Sequence, residues 1–195
     1  MKPALFLSVF LSSLALGWGG EIAGNVRWRG GEDYSNVIVY AEKIPKEPAI
    51  PPKEPVVLDQ INLTFVPHVL PVLVGTMVSF PNSDEVRHSV FSPSPVKRFN
   101  LGMYSRGVVR RVTFDLAGEV ALICNVHAEM SAYVLVIETP HFAVTSKEGR
   151  YALRNLPPGN YMLTVWHETF KPVTHPVEIK GSETVRLDFS LTVPR

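Results

Sequence analysis

The sequence has a single cysteine, Cys124, so no internal disulfide can form. Charge of one sign is also missing: 19 basic residues stand against 18 acidic ones, for a formal charge of +1. Nothing in that balance resembles the basic footprint of a nucleic-acid binder. Helix-period apolar patterns are scarce, which argues against a helical fold. There is no Gly-x-Ser-x-Gly elbow, no His-Glu-x-x-His helix and no Walker loop, so the common hydrolytic and nucleotide chemistries have no motif to work through. No charge-free apolar window reaches the roughly twenty residues that a membrane-spanning helix needs.

The chain begins Met1-Lys2-Pro3, continues through the apolar stretch Ala4 to Leu16, and softens into Gly17-Trp18-Gly19-Gly20. That is the order of a secretory signal, so residues 1–20 are set apart from the fold and a periplasmic or secreted location is expected. Lys2 is the only charge in that stretch, and without it 18 basic residues balance 18 acidic ones. A lone thiol in an exported chain is open to oxidation and needs a reason to be there. The plain reasons are a small buried hydrophobe or an intermolecular bridge; the alternative is a metal or catalytic role.

Short runs rich in Val, Ile, Thr, Tyr and Phe recur between Gly, Pro, Asn and Asp clusters, which predicts an all-β sandwich or barrel. Strands are expected near 22–28, 36–42, 60–66, 69–74, 76–80, 87–91, 107–114, 119–124, 132–138, 150–154, 160–167, 175–179 and 184–191. Residues 44–55 carry five prolines among alternating charges, so 46–55 is read as a stiff linker. The block 56–140 then has the size of one small sandwich. The first flank offers only two strands, too few to be stable in water alone, and must pair with something. The division expected is 21–45 together with 141–195 as one split sandwich, into or beside which the central sandwich is set.

The segment that carries chemistry is Glu119 to Met130, a strand ending in Cys124 and followed by a tight loop with His127 and Met130. Thiolate, imidazole and thioether are the soft set that copper prefers, and a second histidine, His88 after an apolar strand, completes a His₂Cys plane with a weak axial Met. Glu129, beside Met130, is the alternative for the axial position. Ser89 directly follows His88 and Asn125 directly follows Cys124, so both are placed to tie the two ligand-bearing loops together. Met103 reads as packing. His68, His141, His167 and His175 have no soft partner nearby in sequence and read as surface or structural residues. Cys124 with His127 as nucleophile and base would leave Met130 without a role.

Two resemblances follow from these residues. Phe65-x-Pro67, then Gly75-x-x-Val78-x-Phe80-x-Asn82-x-Asp84, His88-x-Val90 and Cys124-x-x-His127-x-x-Met130 resemble the cupredoxins, with a two-residue gap before Met130 closer to amicyanin than to plastocyanin. The resemblance covers about 60–138 and implies a Greek-key β-sandwich holding one type 1 (blue) copper ion on His88, Cys124, His127 and Met130, with Asn82, Ser89 and Asn125 hydrogen-bonded behind the ligands. It departs from the pattern at Ala128-Glu129, where many relatives have Pro and an aromatic or apolar residue. The flanks, roughly 22–42 and 142–191, are similar to the carboxypeptidase regulatory-like domain, a small prealbumin-type sandwich. Together they imply a monomeric electron carrier with no enzymatic turnover, passing electrons to or from a c-type cytochrome, a periplasmic dehydrogenase or a terminal oxidase. The rival expectations are a module that delivers or buffers copper, and an adhesive double sandwich. His127 is expected at the surface, with Met77, Pro93, Pro95, Val126 and Ala128 as an apolar docking rim.

Overall fold

The computed structural model describes residues 19–46 and 48–192. The export-signal stretch up to residue 18 lies outside the described residues, whereas Gly20 already opens the first strand, paired with Leu156. The first flank forms β1 (Gly20–Trp28) and β2 (Ile38–Ile44). The centre forms β3 (Val56–Val57), β4 (Asp59–Ile61), β5 (Thr64–Val66), β6 (Val69–Leu73), β7 (Thr76–Pro81), β8 (His88–Ser92), β9 (Phe99–Tyr104), β10 (Val109–Phe114), β11 (Gly118–Ile123) and β12 (Ser131–Ile137). The last flank forms β13 (Phe142–Val144), β14 (Arg150–Leu156), β15 (Gly159–His167), β16 (Phe170–Ile179), β17 (Thr184–Arg186) and β18 (Phe189–Leu191).

The two flanks interleave. β1 pairs with β14 on one side and, in parallel, with β17 and β18 on the other. β2 lies between β13 and β15, with β16 beyond. The two strands that cannot stand alone therefore supply an inner strand to each sheet of one sandwich, around Ile22, Val26, Val39, Ala41, Leu153, Tyr161 and Leu163. Gly24 is required there: a Cβ on it would lie 1.8 Å from the Leu187 carbonyl oxygen, where the chain crosses between β17 and β18.

The central block makes a second sandwich from the order β6-β12-β11-β8-β9 facing β10-β7-β3. Its core is Leu58, Phe80, Val90, Phe114, Val120, Leu122 and Val134 with their neighbours. A third core joins the two sandwiches, made of Ile38, Val69, Leu135, Ile137 and Trp166. Strand periodicity explains it. On β12, Val134 and Val136 face the central core while Tyr133, Leu135 and Ile137 face the joint. On β2, Val39 and Ala41 face the outer core and Ile38 and Tyr40 the joint. A strand covered on both faces reads as a continuous apolar run, which accounts for Tyr133 to Ile137. Trp166 Nε1 also donates to Glu119 Oε2 across the joint at 3.1 Å.

Two expected runs are each divided, and three short strands, β3, β9 and β13, lie outside the expected ones. The run 60–66 is two strands, because Asn62 and Leu63 both adopt left-handed backbone (φ 52° and 59°) and turn the chain into a hairpin. The run 184–191 is likewise divided, into β17 and β18. β9 is an edge strand with Gly102 at φ 68° and a bulged pairing with β8, in which Phe99, Leu101 and Met103 alternate with Asn100 and Gly102.

Candidate metal centre

His88 opens β8, and the loop before it is shaped by Asn82. The buried Asn82 amide donates to the carbonyls of Val86 and Tyr104, at 2.9 and 3.0 Å, and its oxygen accepts the Asp84 N–H at 2.9 Å. This brings the Asp84 carboxylate behind the ligand histidine. Oδ2 accepts from His88 Nε2 at 2.8 Å and from the Leu63 N–H at 2.9 Å, and Oδ1 accepts the Asn62 N–H at 2.6 Å. Burial pushes the Asp84 carboxyl up, but the Leu63 and Asn62 amides and the His88 ring outweigh it and hold it below its usual value. The ionised carboxylate accepts a hydrogen bond from Nε2–H, and in that tautomer Nδ1 of His88 presents a lone pair on the opposite edge of the ring.

The Cys124 to Met130 loop closes on itself. Cys124 N–H donates to the Met130 carbonyl and Met130 N–H to the His127 carbonyl, both at 3.1 Å. The turn carries His127 over Cys124, where Nδ1 lies 3.9 Å from Sγ. Across the gap, Nδ1 of His88 and Nδ1 of His127 are 3.1 Å apart. One ligand atom from each of His88, Cys124 and His127 thus falls within 4.8 Å of the others. Two imidazole nitrogens facing each other at this separation need a shared proton or a shared cation between them. A nearby thiolate favours a soft cation, so the donor set fits copper.

Met130 is 1% exposed and packs in the central core, whereas Glu129 points to solvent. His88 is fully buried and His127 half-buried. Ser89 Oγ accepts the Asn125 N–H at 2.9 Å and stands 3.8 Å from Cys124 Sγ, so it joins β8 to the loop that follows β11. Asn125 contributes to this tie through its backbone while its side chain is exposed, which differs from a side-chain role. Of the apolar rim expected around His127, Val126 and Ala128 are exposed beside it. Met77 instead pairs with Thr113, toward the end of β7 remote from Pro81, and Pro93 and Pro95 flank Ser94, which bonds Ala121 part-way down β11. Asp84 was legible in sequence only as part of a motif. Its partners, Asn62 and Leu63, lie more than twenty residues upstream, and no local pattern signals them.

Burial pushes the Cys124 thiol up, yet the backbone amides of Ser89, Val126 and His127 and the His127 ring more than offset it and bring it down to about 7 from 9.0. A lowered folded value stabilises the fold above the unfolded value, and that contribution is lost as pH falls through the folded one. The metal-free protein should therefore gain stability as pH rises from below 7 toward 9. Its thiolate absorbance in the ultraviolet should titrate near 7, and a midpoint near 9 would show that the amides do not reach the sulfur.

Fold and site together define the class: an all-β protein of two joined β-sandwiches, one of which carries a His-Cys-His cluster able to hold a metal ion. The model of the carboxypeptidase regulatory-like domain matches residues 128–192. Among solved structures, the chain is similar to a Cu-containing nitrite reductase from Thermus scotoductus SA-01, at 28% identity over 48% of this chain and 26% of that one, with a TM-score of 0.42. The chain thus spans about a quarter of that enzyme's length. It is also similar to a reduced amicyanin variant (24% identity, 44% of this chain, 85% of that one, TM-score 0.41) and to a purple cupredoxin from Nitrosopumilus maritimus (21%, 42%, 99% and 0.40). None of the curated proteins matches the chain. Among the described residues no helix is long and apolar enough to cross a membrane.

Proposed function

We propose that the chain binds one copper ion through His88, Cys124 and His127, with Met130 as a weak fourth ligand, and carries single electrons between redox proteins of the periplasm. The observation that carries this reading is the convergence of two imidazole nitrogens and one sulfur from the start of β8 and the loop that follows β11. Bound there, copper supplies a one-electron couple of the type 1 kind. The chain's own residues do the rest. Asp84 fixes the His88 ring, Ser89 and the Asn125 amide join β8 to the loop that follows β11, and the backbone bonds within 124–130 hold that loop. Rigid ligands keep the rearrangement between oxidation states small. Burial of Met130 and exposure of Glu129 favour the methionine as the axial group. The half-buried ring of His127, beside exposed Val126 and Ala128, offers a partner such as a c-type cytochrome or a dehydrogenase a short path to the centre. In this reading no bond of a substrate is made or broken, and the protein acts as an electron carrier and not as an enzyme. The same proposal divides the chain into a signal (1–20), a split sandwich (21–45 and 141–195), a linker (46–55) and a copper domain (56–140).

Loading the purified protein with Cu(II) should produce an intense visible band that ascorbate bleaches and air restores; a colourless protein that loses its copper on a desalting column would end this reading. Met130→Gln should shift the band and the potential, and Glu129→Gln should leave both in place. Asp84→Asn removes a negative charge from behind His88 and should favour Cu(I). A tenfold change in relative affinity raises the potential by about 59 mV for one electron, readable by voltammetry. An unchanged potential would show that the carboxylate only organises the loop.

A further inference from the structure

His68 sits between the two sandwiches and meets an acceptor at each end of its ring. Nε2 is 2.9 Å from Glu168 Oε1, in the turn that joins β15 to β16. Nδ1 is 3.1 Å from the carbonyl oxygen of Ser131, the residue that follows Met130. A carboxylate and a carbonyl can only accept, so the ring makes both bonds only while both nitrogens carry protons. The backbone of the same residue accepts the Tyr133 N–H at 2.9 Å. His68 thus grips the exit of the Cys124 to Met130 loop at two points, and Glu168 of the outer sandwich holds the grip in place.

We propose that the carboxypeptidase regulatory-like sandwich buttresses the metal loop through Glu168 and a doubly protonated His68 clamped on Ser131, and that this clamp loosens when His68 gives up a proton. The proposal rests on the copper reading of the loop and assigns a role to the second sandwich. Once one ring proton is lost, the ring can no longer donate to both acceptors, and either the loop exit or the outer sandwich is released. The ionisable groups around His68 are Glu168, Tyr133 on β12, whose ring meets it edge-on at 5.9 Å, His167 at the end of β15, and Glu119 on β11 next to Tyr133. Of these ionisable groups, Glu168 is the one that hydrogen-bonds the ring. His68 is a positioning residue that acts through Ser131 and touches no ligand atom.

The test uses the full-length protein without metal, so that it reads the clamp whether or not copper binds. Nitrogen-15 spectra should show both ring nitrogens of His68 protonated in acid and one proton leaving as pH rises. Amide exchange of residues 125–133, divided by the intrinsic rate, should become faster in step with that loss. Glu168→Gln should make this exchange insensitive to pH, while Glu178→Gln, on the exposed part of β16, should leave it as in the parent. In the copper-loaded protein Glu168→Gln should speed copper release by roughly 10-fold, the scale on which outer partners act on metal affinity. A neutral His68 ring at acid pH, or loop exchange indifferent to both pH and Glu168→Gln, would overturn the clamp. A protein that fails to bind copper yet shows the pH-linked exchange keeps the clamp and ends the proposed function.

Discussion

Cys124→Ser should abolish the visible band and reduce Cu(II) affinity beyond the roughly 10–100-fold that loss of an outer partner costs. The band arises from charge moving between sulfur and metal, and a serine hydroxyl remains protonated at any pH the fold survives. The two side chains are nearly the same size, so the fold itself should tolerate the exchange. Cys124 is 5% exposed, and a hydroxyl in its place finds Ser89 Oγ close at hand. Melting of the metal-free variant within a few degrees of the parent, together with loss of colour, separates a ligand from a packing residue. A variant that stays blue would remove the sulfur from the centre.

The second large effect is expected at the joint. Trp166→Ala deletes a buried indole that packs with Ile38, Val69, Leu135 and Ile137, meets the Tyr133 ring edge-on at 5.9 Å and donates to Glu119. Truncation of a buried aromatic costs about 3–5 kcal/mol, enough to move a urea midpoint by more than 1 M at the usual slope of about 1–3 kcal/mol per molar. Because the joint is what couples the two cores, a single unfolding transition in the parent should separate into two in the variant. Val173→Ala, at an exposed position of β16, should change neither the midpoint nor the number of transitions. A loss under about 1 kcal/mol at Trp166 would mean that the sandwiches do not share this core in solution.

The candidate site was legible as a cluster because its chemistry is scarce. One cysteine, followed at short spacing by His127 and Met130, leaves few alternatives for a soft site, and the structure brings His88 to the same point. The pairing of the flanks was legible for a different reason: two strands cannot bury a face alone, and β1 finds its partners in β14, β17 and β18, β2 in β13 and β15. What stayed hidden depends on side chains meeting across long stretches of sequence. Asp84 is bonded to Asn62 and Leu63, and His68 to Glu168 a hundred residues away. His68 was read as a surface or structural histidine because sequence shows neighbours along the chain and not across the joint. The apolar run 133–137 announced a strand but not that its second face meets another sandwich. Met77, Pro93 and Pro95 were placed around His127 by residue type alone, and strand direction carries them elsewhere.

The chain leaves the outer sandwich and returns to it at one spot. Ala41 N–H donates to the His141 carbonyl at 2.8 Å, the Ala41 carbonyl accepts from Thr139 Oγ1 at 2.7 Å, and Phe142 pairs with Tyr40 on the next rung. Neighbouring strands lie roughly 5 Å apart, a gap that a hairpin turn of a few residues closes. The central sandwich is therefore set into its host like a cassette: its two ends lie on neighbouring strands, and what else ties it to the host is the joint core around Ile38 and Trp166.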